Sequence, residues 1–219
     1  NQIKKDGFTF DTGPSFFSMS YEVDELAADS KIKPPFEFVE LDPLYAVNFS
    51  GNPKTYLLYK DINKLASQFS EEEPDFEEKM NSYLKKCGQL FNDTIDIVVK
   101  QNFDSIFSYV RALMQVNPAH LPVLARKFDK QVNRYFKSKE ARRIISLVAF
   151  FLGRTPFDTP AVYTLLSYTE FKHDGYYNVK GGMYRIVEGL VDELQKRGVE
   201  FVYNTEIKSY EGNGSNLTS

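Results

Sequence analysis

Hydrophobic and polar residues alternate through much of the first sixty positions, a pattern typical of β-strands. Phe8–Asp11 alternates and is stopped by Gly13-Pro14, which predicts a short strand followed by a tight turn. A short helix is predicted over about residues 21–28. Three more strands are predicted at residues 36–41, 45–49 and 55–60, with a turn at 50–53. The pattern therefore predicts a small antiparallel sheet within residues 36–60.

From residue 61 to about residue 171 the hydrophobic period lengthens from two to nearly four, which indicates helices. Four to six helices fit this region. Its candidate helix ends are Ser70 with Glu73 as a capping box, Asn117 and Thr159 as caps before prolines, and Gly153 as a C-terminal stop. The region is therefore predicted to be a helical lobe.

The last section predicts a helix that leads into a strand. Apolar residues recur at helical spacing on one face: Met183, Ile186, Val187, Leu190, Val191 and Leu194. Gly198 is predicted to end this helix, residues 199–203 to form a strand, and residues 212–216 to form a polar turn. A glycine-opened helix followed by a strand is typical of doubly wound nucleotide-binding sheets. The fold class predicted is therefore α+β.

Composition narrows the classes of function. The net charge of −3 gives no electrostatic footprint for nucleic acid, so we expect no nucleic-acid partner. The single cysteine, Cys87, excludes an intramolecular disulfide and a thiolate metal site, and no metal is expected. No apolar run approaches the roughly 18 residues that span a bilayer. The 19 Phe and 14 Tyr suit a bulky apolar ligand or an aromatic-rich core equally well.

The charge reverses in the middle of the chain. Between Phe103 and Arg143 nine basic residues face three acidic ones and are interleaved with apolar residues. Such helices either lie on anionic lipid or pack inward as ordinary amphipathic helices. The following segment, 144–152, is apolar nearly all round, so it is predicted to be buried or to line an apolar cavity, with Tyr163, Leu166 and Tyr168 opposite.

Two glycine-bearing segments are candidate ligand sites. The strand that leads to Gly13-Pro14 ends in a residue without Cβ and one with fixed φ, so its backbone can pass close to a flat ligand. Gly181-Gly182 opens the last helix, where free N–H groups favour an anionic or electron-rich group. A hairpin corner and tight helix–sheet packing are the structural alternatives. The two histidines, His120 and His173, are interpreted as solvated rather than catalytic.

Taken in order and spacing, three segments resemble bacterial-type phytoene (carotenoid) desaturases, members of the FAD-dependent, amine-oxidase-like flavoprotein superfamily. The segments are residues 6–15, residues 153–157 with 160–166, and residues 180–183. The resemblance implies an internal fragment of an enzyme that dehydrogenates a long apolar polyene by hydride transfer to flavin. It also implies a helix–strand piece of an α/β flavin-binding domain beside the small sheet and the helical lobe.

The resemblance also implies site residues, listed by role. The cofactor-binding candidates are Gly13, Pro14, Ser15, Gly181, Gly182 and Met183, and the substrate-binding candidates are Phe16, Phe17, Phe150, Phe151, Arg154, Tyr163 and Leu166. No catalytic acid or base can be carried over. The cofactor implied is FAD, which this fragment is not expected to retain, because it lacks the loop that binds the pyrophosphate.

The domain organisation that follows has three parts. Residues 1–20 form a junction between the flavin and substrate domains, residues 21–175 form the substrate-binding domain with its sheet at 36–60 and helical lobe at 61–171, and residues 176–219 return into the flavin-binding domain. We expect a cytoplasmic protein peripherally associated with the membrane. Two alternatives stay open: a non-redox module that binds a hydrophobic ligand or a membrane surface, and a carotenoid isomerase or saturase on the same scaffold.

Overall fold

The computed structural model describes residues 2–213 and 216–217, with side chains described through Glu211. Strands β1 (Gln2–Lys5) and β2 (Phe8–Asp11) form an antiparallel hairpin that places Gln2 opposite Asp11. Strands β8 (Gly212–Asn213) and β9 (Asn216–Leu217) pair at the other end of the chain. Of the polar turn predicted at 212–216, residues 214 and 215 lie outside the described residues. The predicted strand at Phe8–Asp11 is confirmed.

The remaining strands form two separate sheets. Strand β7 (Tyr176–Val179) lies between β3 (Phe17–Ser18) and β4 (Phe38–Glu40), antiparallel to both. Strands β5 (Tyr45–Asn48) and β6 (Thr55–Leu58) form a hairpin of their own. The predicted hairpin of the last two strands within residues 36–60 is therefore confirmed, but the first strand, β4, is not part of that sheet, because it finds its hydrogen-bond partner near the other end of the chain. Alternation locates a strand but does not identify its neighbour.

Within residues 2–213 the structure contains nine α-helices. They are α1 (Ser20–Ser30), α2 (Ile62–Ser67), α3 (Phe76–Thr94), α4 (Ile106–Gln115), α5 (Leu121–Leu124), α6 (Phe128–Val132), α7 (Lys139–Ile145), α8 (Leu165–Tyr168) and α9 (Tyr184–Lys196). Tighter 3₁₀ turns occupy Pro118–His120, Leu147–Leu152 and Ala161–Thr164, and wider π turns continue α3 at Ile95–Val99 and α8 at Thr169–His173. Helices α2 to α8 number seven, more than the four to six predicted, since prolines and glycines divide the apolar pattern.

Two of the predicted helix ends are confirmed and two are wrong. The Asn117 side chain accepts from the Ala119 N–H at 3.0 Å, and Gly153 ends its turn with φ of 66°. Helix α3 starts at Phe76 rather than after Ser70, so there is no capping box at Ser70. The hydroxyl of Thr159 donates to the carbonyl of Thr155 and caps nothing.

The last helix is confirmed, but the strand predicted after it is wrong. Helix α9 ends at Lys196, and Gly198 follows with φ of 85°. Residues 199–203 form no strand, and Val202 is 68% exposed. An alternating segment becomes a strand only where another strand satisfies its N–H and C=O groups, and no described strand lies beside these residues.

The core joins the β5–β6 hairpin to the helical lobe through stacked aromatic rings. Phe69 lies between Tyr56 and Phe76, with ring centroids 5.1 and 4.3 Å apart, and Phe136 packs on Phe76 at 5.3 Å. All four side chains are completely buried. Burial of rings this large stabilises the lobe by a few kcal/mol each relative to exposure. The α+β class is confirmed, whereas the three-part division into domains stays a prediction.

Candidate functional site

The two glycine-bearing segments meet at the start of α9. The backbone N–H of Met183 donates to Oδ2 of Asp11 at 2.7 Å, which ties the end of β2 to the first turn of the helix. Gly181 and Gly182 have φ of 84° and 100°, a backbone conformation open to glycine. A Cβ on Gly182 would lie 2.7 Å from that same carboxylate oxygen. The two segments therefore converge in space, and Asp11 is the group at the helix N-terminus.

A small apolar cavity, here the α9 cavity, lies between this junction and the Gly13-Pro14 turn. Its volume is about 220 Å³, and its lining includes Gly13, Pro14, Phe17, Met183, Ile186 and Val187. A Cβ built on Gly13 would meet nothing within 4 Å, so the backbone there is open. The cavity can therefore accept the edge of a flat, mainly apolar group against main chain.

A second cavity, here the Phe151 cavity, lies on the other side of the same turn. It has a volume of about 510 Å³ and is lined by Gly13, Pro14, Ser15, Phe16, Phe17, Ser18 and Phe151. The Gly13-Pro14 turn and Phe17 thus border both cavities. One backbone turn separates a pocket beside α9 from a larger aromatic pocket that faces the helical lobe.

The wall of the Phe151 cavity is formed by the rings of Phe16 and Phe151, which both pack on the buried ring of Tyr176. The ring of Phe16 lies edge-on to Phe151 at 5.6 Å and close to Tyr176 at 4.5 Å, and Phe151 is edge-on to Tyr176 at 5.8 Å. Edge-to-face contacts of this kind hold rings at defined angles and add about 0.5–1.5 kcal/mol each to the burial term. The wall is apolar and has fixed orientation, as a hydrocarbon ligand requires.

A carboxyl group supports this wall from behind. Glu170 is fully buried, and Oε1 accepts a 2.6 Å hydrogen bond from the hydroxyl of Tyr45. Burial raises the pKa of Glu170 to about 8, while hydrogen bonds from Tyr45 and Tyr176 act in the opposite direction. Burial and the same carboxyl raise the pKa of both tyrosines. Glu170 is therefore a neutral acid at pH 7 that holds two phenols in place.

Sequence reasoning missed Glu170 and Asp11 as members of this site. The signal for Glu170 was a lone acidic residue at the end of an apolar helical stretch, followed closely by the paired tyrosines Tyr176 and Tyr177. The signal for Asp11 was a carboxylate two residues before a glycine turn. This signal does not indicate a role for Asp11 until its distant partner, Met183, is known. Neither signal identifies a contact by itself.

The segment 144–152 divides between core and cavity wall, as its two alternatives allowed. Ile144, Ile145, Val148 and Ala149 are buried, whereas Phe150 and Phe151 are 57% and 54% exposed. Phe150 borders a third cavity of about 630 Å³ together with Gly153, Arg154, Thr155 and Asp158. Arg154 therefore lines this third cavity and does not line the Phe151 cavity.

Two predicted substrate residues lie elsewhere. Leu166 is half-buried and packs between the two hydrophobic clusters of the helical lobe, against residues such as Leu90 and Phe91. Tyr163 is 39% exposed and lines none of the three cavities described above. Their assignment as substrate residues stays a prediction.

The two histidines line neither of the cavities beside the Gly13-Pro14 turn. His173 is exposed, as predicted, and its ring stacks on Tyr168. His120 is not simply solvated, because its side chain is 12% exposed and Nε2 lies 2.8 Å from Oδ2 of Asp93.

Burial raises the pKa of the Cys87 thiol to about 12, which makes this thiol unreactive. Among the described residues no group of three or more His, Cys, Asp or Glu is placed to hold a metal ion.

Comparison with known families identifies the family of the chain. The sequence profile of the family described as "Flavin containing amine oxidoreductase" matches residues 1–218. The chain belongs to this family.

The curated relatives of this flavin-containing amine oxidoreductase chain have names that describe carotenoid desaturases. The phytoene desaturase of Phycomyces blakesleeanus is 29% identical over 94% of the chain, which covers 35% of that protein. A 4,4'-diapophytoene desaturase of Methylomonas sp and a carotenoid 3,4-desaturase of Haloarcula japonica are each 26% identical, with 40% and 42% of their lengths covered. The chain thus spans somewhat more than a third of the curated relatives it matches.

The residues present fit the ring of a flavin. The α9 cavity offers open main chain at Gly13 and apolar side chains from Phe17 and Ile186, which suits the edge of a flat conjugated ring. The N–H of Met183 is already bound to Asp11, so this amide is not free for an anionic group. Among the described residues the fit is therefore to an uncharged ring edge rather than to phosphate.

Proposed function

We propose that the protein carrying this chain is an FAD-dependent carotenoid desaturase that dehydrogenates a long apolar polyene of the phytoene type. The observation that carries the proposal is the hydrogen bond between Asp11 and Met183, which joins the two glycine turns beside two apolar cavities. Membership of the flavin-containing family and the names of the relatives support the same reaction class. Flavin, when bound, would supply the acceptor for a hydride.

The chain's own residues would bind and orient the substrate. The wall of Phe16 and Phe151 offers aromatic contact in a cavity whose lining has no charged side chain, so a polyene gains burial energy without burying a charge. The Gly13-Pro14 turn, which borders both cavities, would bring the substrate end close to the ring. Glu170 would fix the wall through Tyr45 and Tyr176 without presenting a charge to the hydrocarbon. Positioning of this kind is the protein's share of a cofactor reaction.

A direct test uses the full-length protein, reconstituted with FAD and supplied with phytoene in lipid vesicles. We expect products with additional conjugated double bonds, seen as longer-wavelength absorption after chromatography, together with stoichiometric bound flavin. Products with an unchanged number of double bonds would favour a carotenoid isomerase, and products with fewer would favour a saturase. Absence of bound flavin together with retention of phytoene would favour the non-redox binding module and end the proposal.

A second part of the proposal concerns the membrane. Helix α4 presents an apolar face on which Phe107 and Met114 are each 82% exposed and Ile106 is 67% exposed. Exposed apolar side chains grouped on one helix mark an interaction site, and the basic residues at positions 126–143 of the same lobe favour anionic lipid over a neutral surface. We infer that this face rests on a membrane from which the polyene is drawn. No helix among the described residues has the length and hydrophobicity to cross a bilayer.

A further inference from the structure

A further cavity, here the basic cavity, is lined by residues of α6 and α7 and by none of the Gly13-Pro14 turn. Its volume is about 550 Å³, in the range of small-molecule sites. Its apolar floor includes Phe49, Leu147, Phe150 and Phe157. Its rim carries four cations, Lys137, Lys139, Arg142 and Arg143. The combination of an apolar floor with a cationic rim is what an amphiphile requires.

The rim charges are not neutralised by nearby carboxylates. None of the four cations makes an ion pair with any residue that the structure describes. Asp129 also lines the cavity, but its carboxylate lies 3.6 Å from Nζ of Lys130. Lys137 has a longer-range attraction to Asp75. The cavity therefore has an excess of positive charge, which favours an anion.

The two guanidinium groups are held in place by the protein. Nε of Arg142 donates to the carbonyl oxygen of Phe136 at 2.7 Å, and the guanidinium of Arg143 lies 5.8 Å from the ring centre of Phe49. An arginine stacked on an aromatic ring keeps its N–H fork available for a phosphate or carboxylate. Part of the ordering cost of binding an anion is therefore already met in the free protein.

The apolar floor of the basic cavity favours an alkyl chain in addition to the anion that its cations favour. Phe157 is 70% exposed and Phe150 is 57% exposed at the cavity. A polyene would cover these rings but leave four cations without a partner, and a simple anion would leave the rings in water. We propose that the basic cavity binds an anionic amphiphile, that is, a molecule with a phosphate or carboxylate head and an alkyl chain. This site does not depend on the redox reaction proposed above.

Binding of a monomeric lipid to the full-length protein tests the proposal. The probe is dihexanoyl phosphatidylglycerol below its critical micelle concentration. Dihexanoyl phosphatidylcholine and inorganic phosphate serve as comparisons. Binding of each is measured by titration calorimetry. We expect saturable binding of the phosphatidylglycerol and binding of the other two that is weaker by about tenfold or more, since phosphatidylcholine has no net negative charge and inorganic phosphate has no alkyl chain. Equal affinity for all three probes, or no binding of the phosphatidylglycerol, would overturn the proposal.

Variants locate the binding. The triple variant K137Q/K139Q/R143Q removes exposed charges that make no ion pair, so it should fold normally and bind phosphatidylglycerol about tenfold or more weakly. The matched control K4Q/K33Q/K85Q removes three exposed charges elsewhere and should bind as the parent does. F157S should weaken the lipid but not phosphate, with F8S, another exposed phenylalanine, as its control. A triple variant that binds like its control would place the anion elsewhere and reject the site.

Vesicles then distinguish the source of the amphiphile. If vesicles of phosphatidylglycerol sediment the protein and the triple variant releases it, the ligand is a bilayer lipid. If the monomer binds but vesicles do not, the ligand is a free amphiphile. Both results support the site, and desaturation of phytoene measured on the same variants reports separately on the proposed redox function.

Discussion

Oδ2 of Asp11 accepts a 2.7 Å hydrogen bond from the backbone N–H of Met183, 172 residues later in the chain. This contact makes one site from two turns that are unrelated in sequence. A carboxylate at a helix N-terminus is stabilised by the free N–H groups and by the helix dipole. Since Gly182 leaves room for this carboxylate, the glycine and the aspartate form a complementary pair.

The first prediction concerns Gly182. In the variant Gly182→Ala the new side chain would sit at φ of 100° and its Cβ would be 2.7 Å from Oδ2 of Asp11. The backbone conformation alone costs about 1–3 kcal/mol for a non-glycine residue. We expect a larger loss of unfolding free energy than in Gly198→Ala, where φ is 85° but nothing lies within 4 Å. Urea denaturation measures the unfolding free energies of both variants and of the parent.

A double variant isolates the contact with Asp11. If the carboxylate is the source of the excess cost, Gly182→Ala should be less damaging in an Asp11→Ala background than in the parent. An equal cost in both backgrounds would mean that the helix start tolerates the methyl group and that Asp11 is not packed against Gly182.

The sequence was sufficient where structure is local. The strand at Phe8–Asp11, the cap at Asn117 and the helix that begins after Gly182 follow from neighbouring residues, since capping and periodicity act within one or two turns. It was insufficient where partners are distant. Strand β4 pairs with β7, and Glu73 looked like part of a capping box although its carboxylate binds the N–H groups of Lys137 and Ser138.

The candidate site follows the same division. Its glycine turns could be located from sequence because positive φ and close approach of main chain select glycine. Glu170 could not be located, because its role depends on Tyr45 and Tyr176, which come from separate strands. The position of Phe151 beside Phe16 likewise depends on how the lobe packs on β3 and not on either local sequence.

The second prediction concerns pH and Glu170. The pKa of Glu170 is about 8 in the folded chain against an ordinary value of 4.5, so between these values the unfolded chain loses a proton that the folded chain keeps. The contribution of Glu170 to stability is therefore largest below pH 4.5 and declines by up to about 1.4 kcal/mol per pH unit towards pH 8. Gln resembles the protonated acid, so the stability of Glu170→Gln relative to the parent should rise over this window.

Subtraction of the two pH profiles removes other titrating groups. Hydrogen bonds from their partners lower the pKa values of Glu72, Glu73 and Asp75. The contribution of these groups to the unfolding free energy is therefore lost as the pH falls, equally in the parent and in Glu170→Gln. Denaturation midpoints of both proteins at several pH values between 5 and 8 give the difference in stability between Glu170→Gln and the parent. A difference that does not change with pH would mean that Glu170 is ionised in the folded chain.

The third prediction concerns Glu73. Its side chain is 1% exposed, accepts from the N–H groups of Lys137 and Ser138 at 2.8 and 2.9 Å, and pairs with Lys79. Glu73→Ala leaves these donors without an acceptor and should cost about 3–5 kcal/mol of unfolding free energy. The exposed neighbour Glu71→Ala should change stability by less than about 0.5 kcal/mol in the same denaturation experiment. Similar effects of the two changes would show that Glu73 does not tie α3 to α7.

The fourth prediction concerns Gly88 in the middle of α3. Alanine is normally better than glycine in a helix by about 1 kcal/mol. Here a Cβ would lie 2.7 Å from Cε2 of Tyr168, where α8 crosses α3. We therefore expect Gly88→Ala to destabilise the chain by about 1–3 kcal/mol, as overpacking does. Tyr168→Leu should remove this conflict and restore the gain from alanine in the double variant, whereas an unconditional gain would contradict the close packing of these helices.

The fifth prediction concerns the apolar face of α4. Phe107→Ser and Met114→Ser remove the two most exposed apolar side chains of that helix, so they should leave the denaturation midpoint within about 0.5 kcal/mol of the parent. If the face rests on lipid, each change should lower the fraction of full-length protein that sediments with anionic vesicles, because the apolar area that enters the bilayer is lost. Phe8→Ser, which removes an exposed ring on the β1–β2 hairpin, is the matched control. Equal sedimentation of all three variants would place the membrane contact on another surface, and the charge of the basic helices alone would then have to account for any binding.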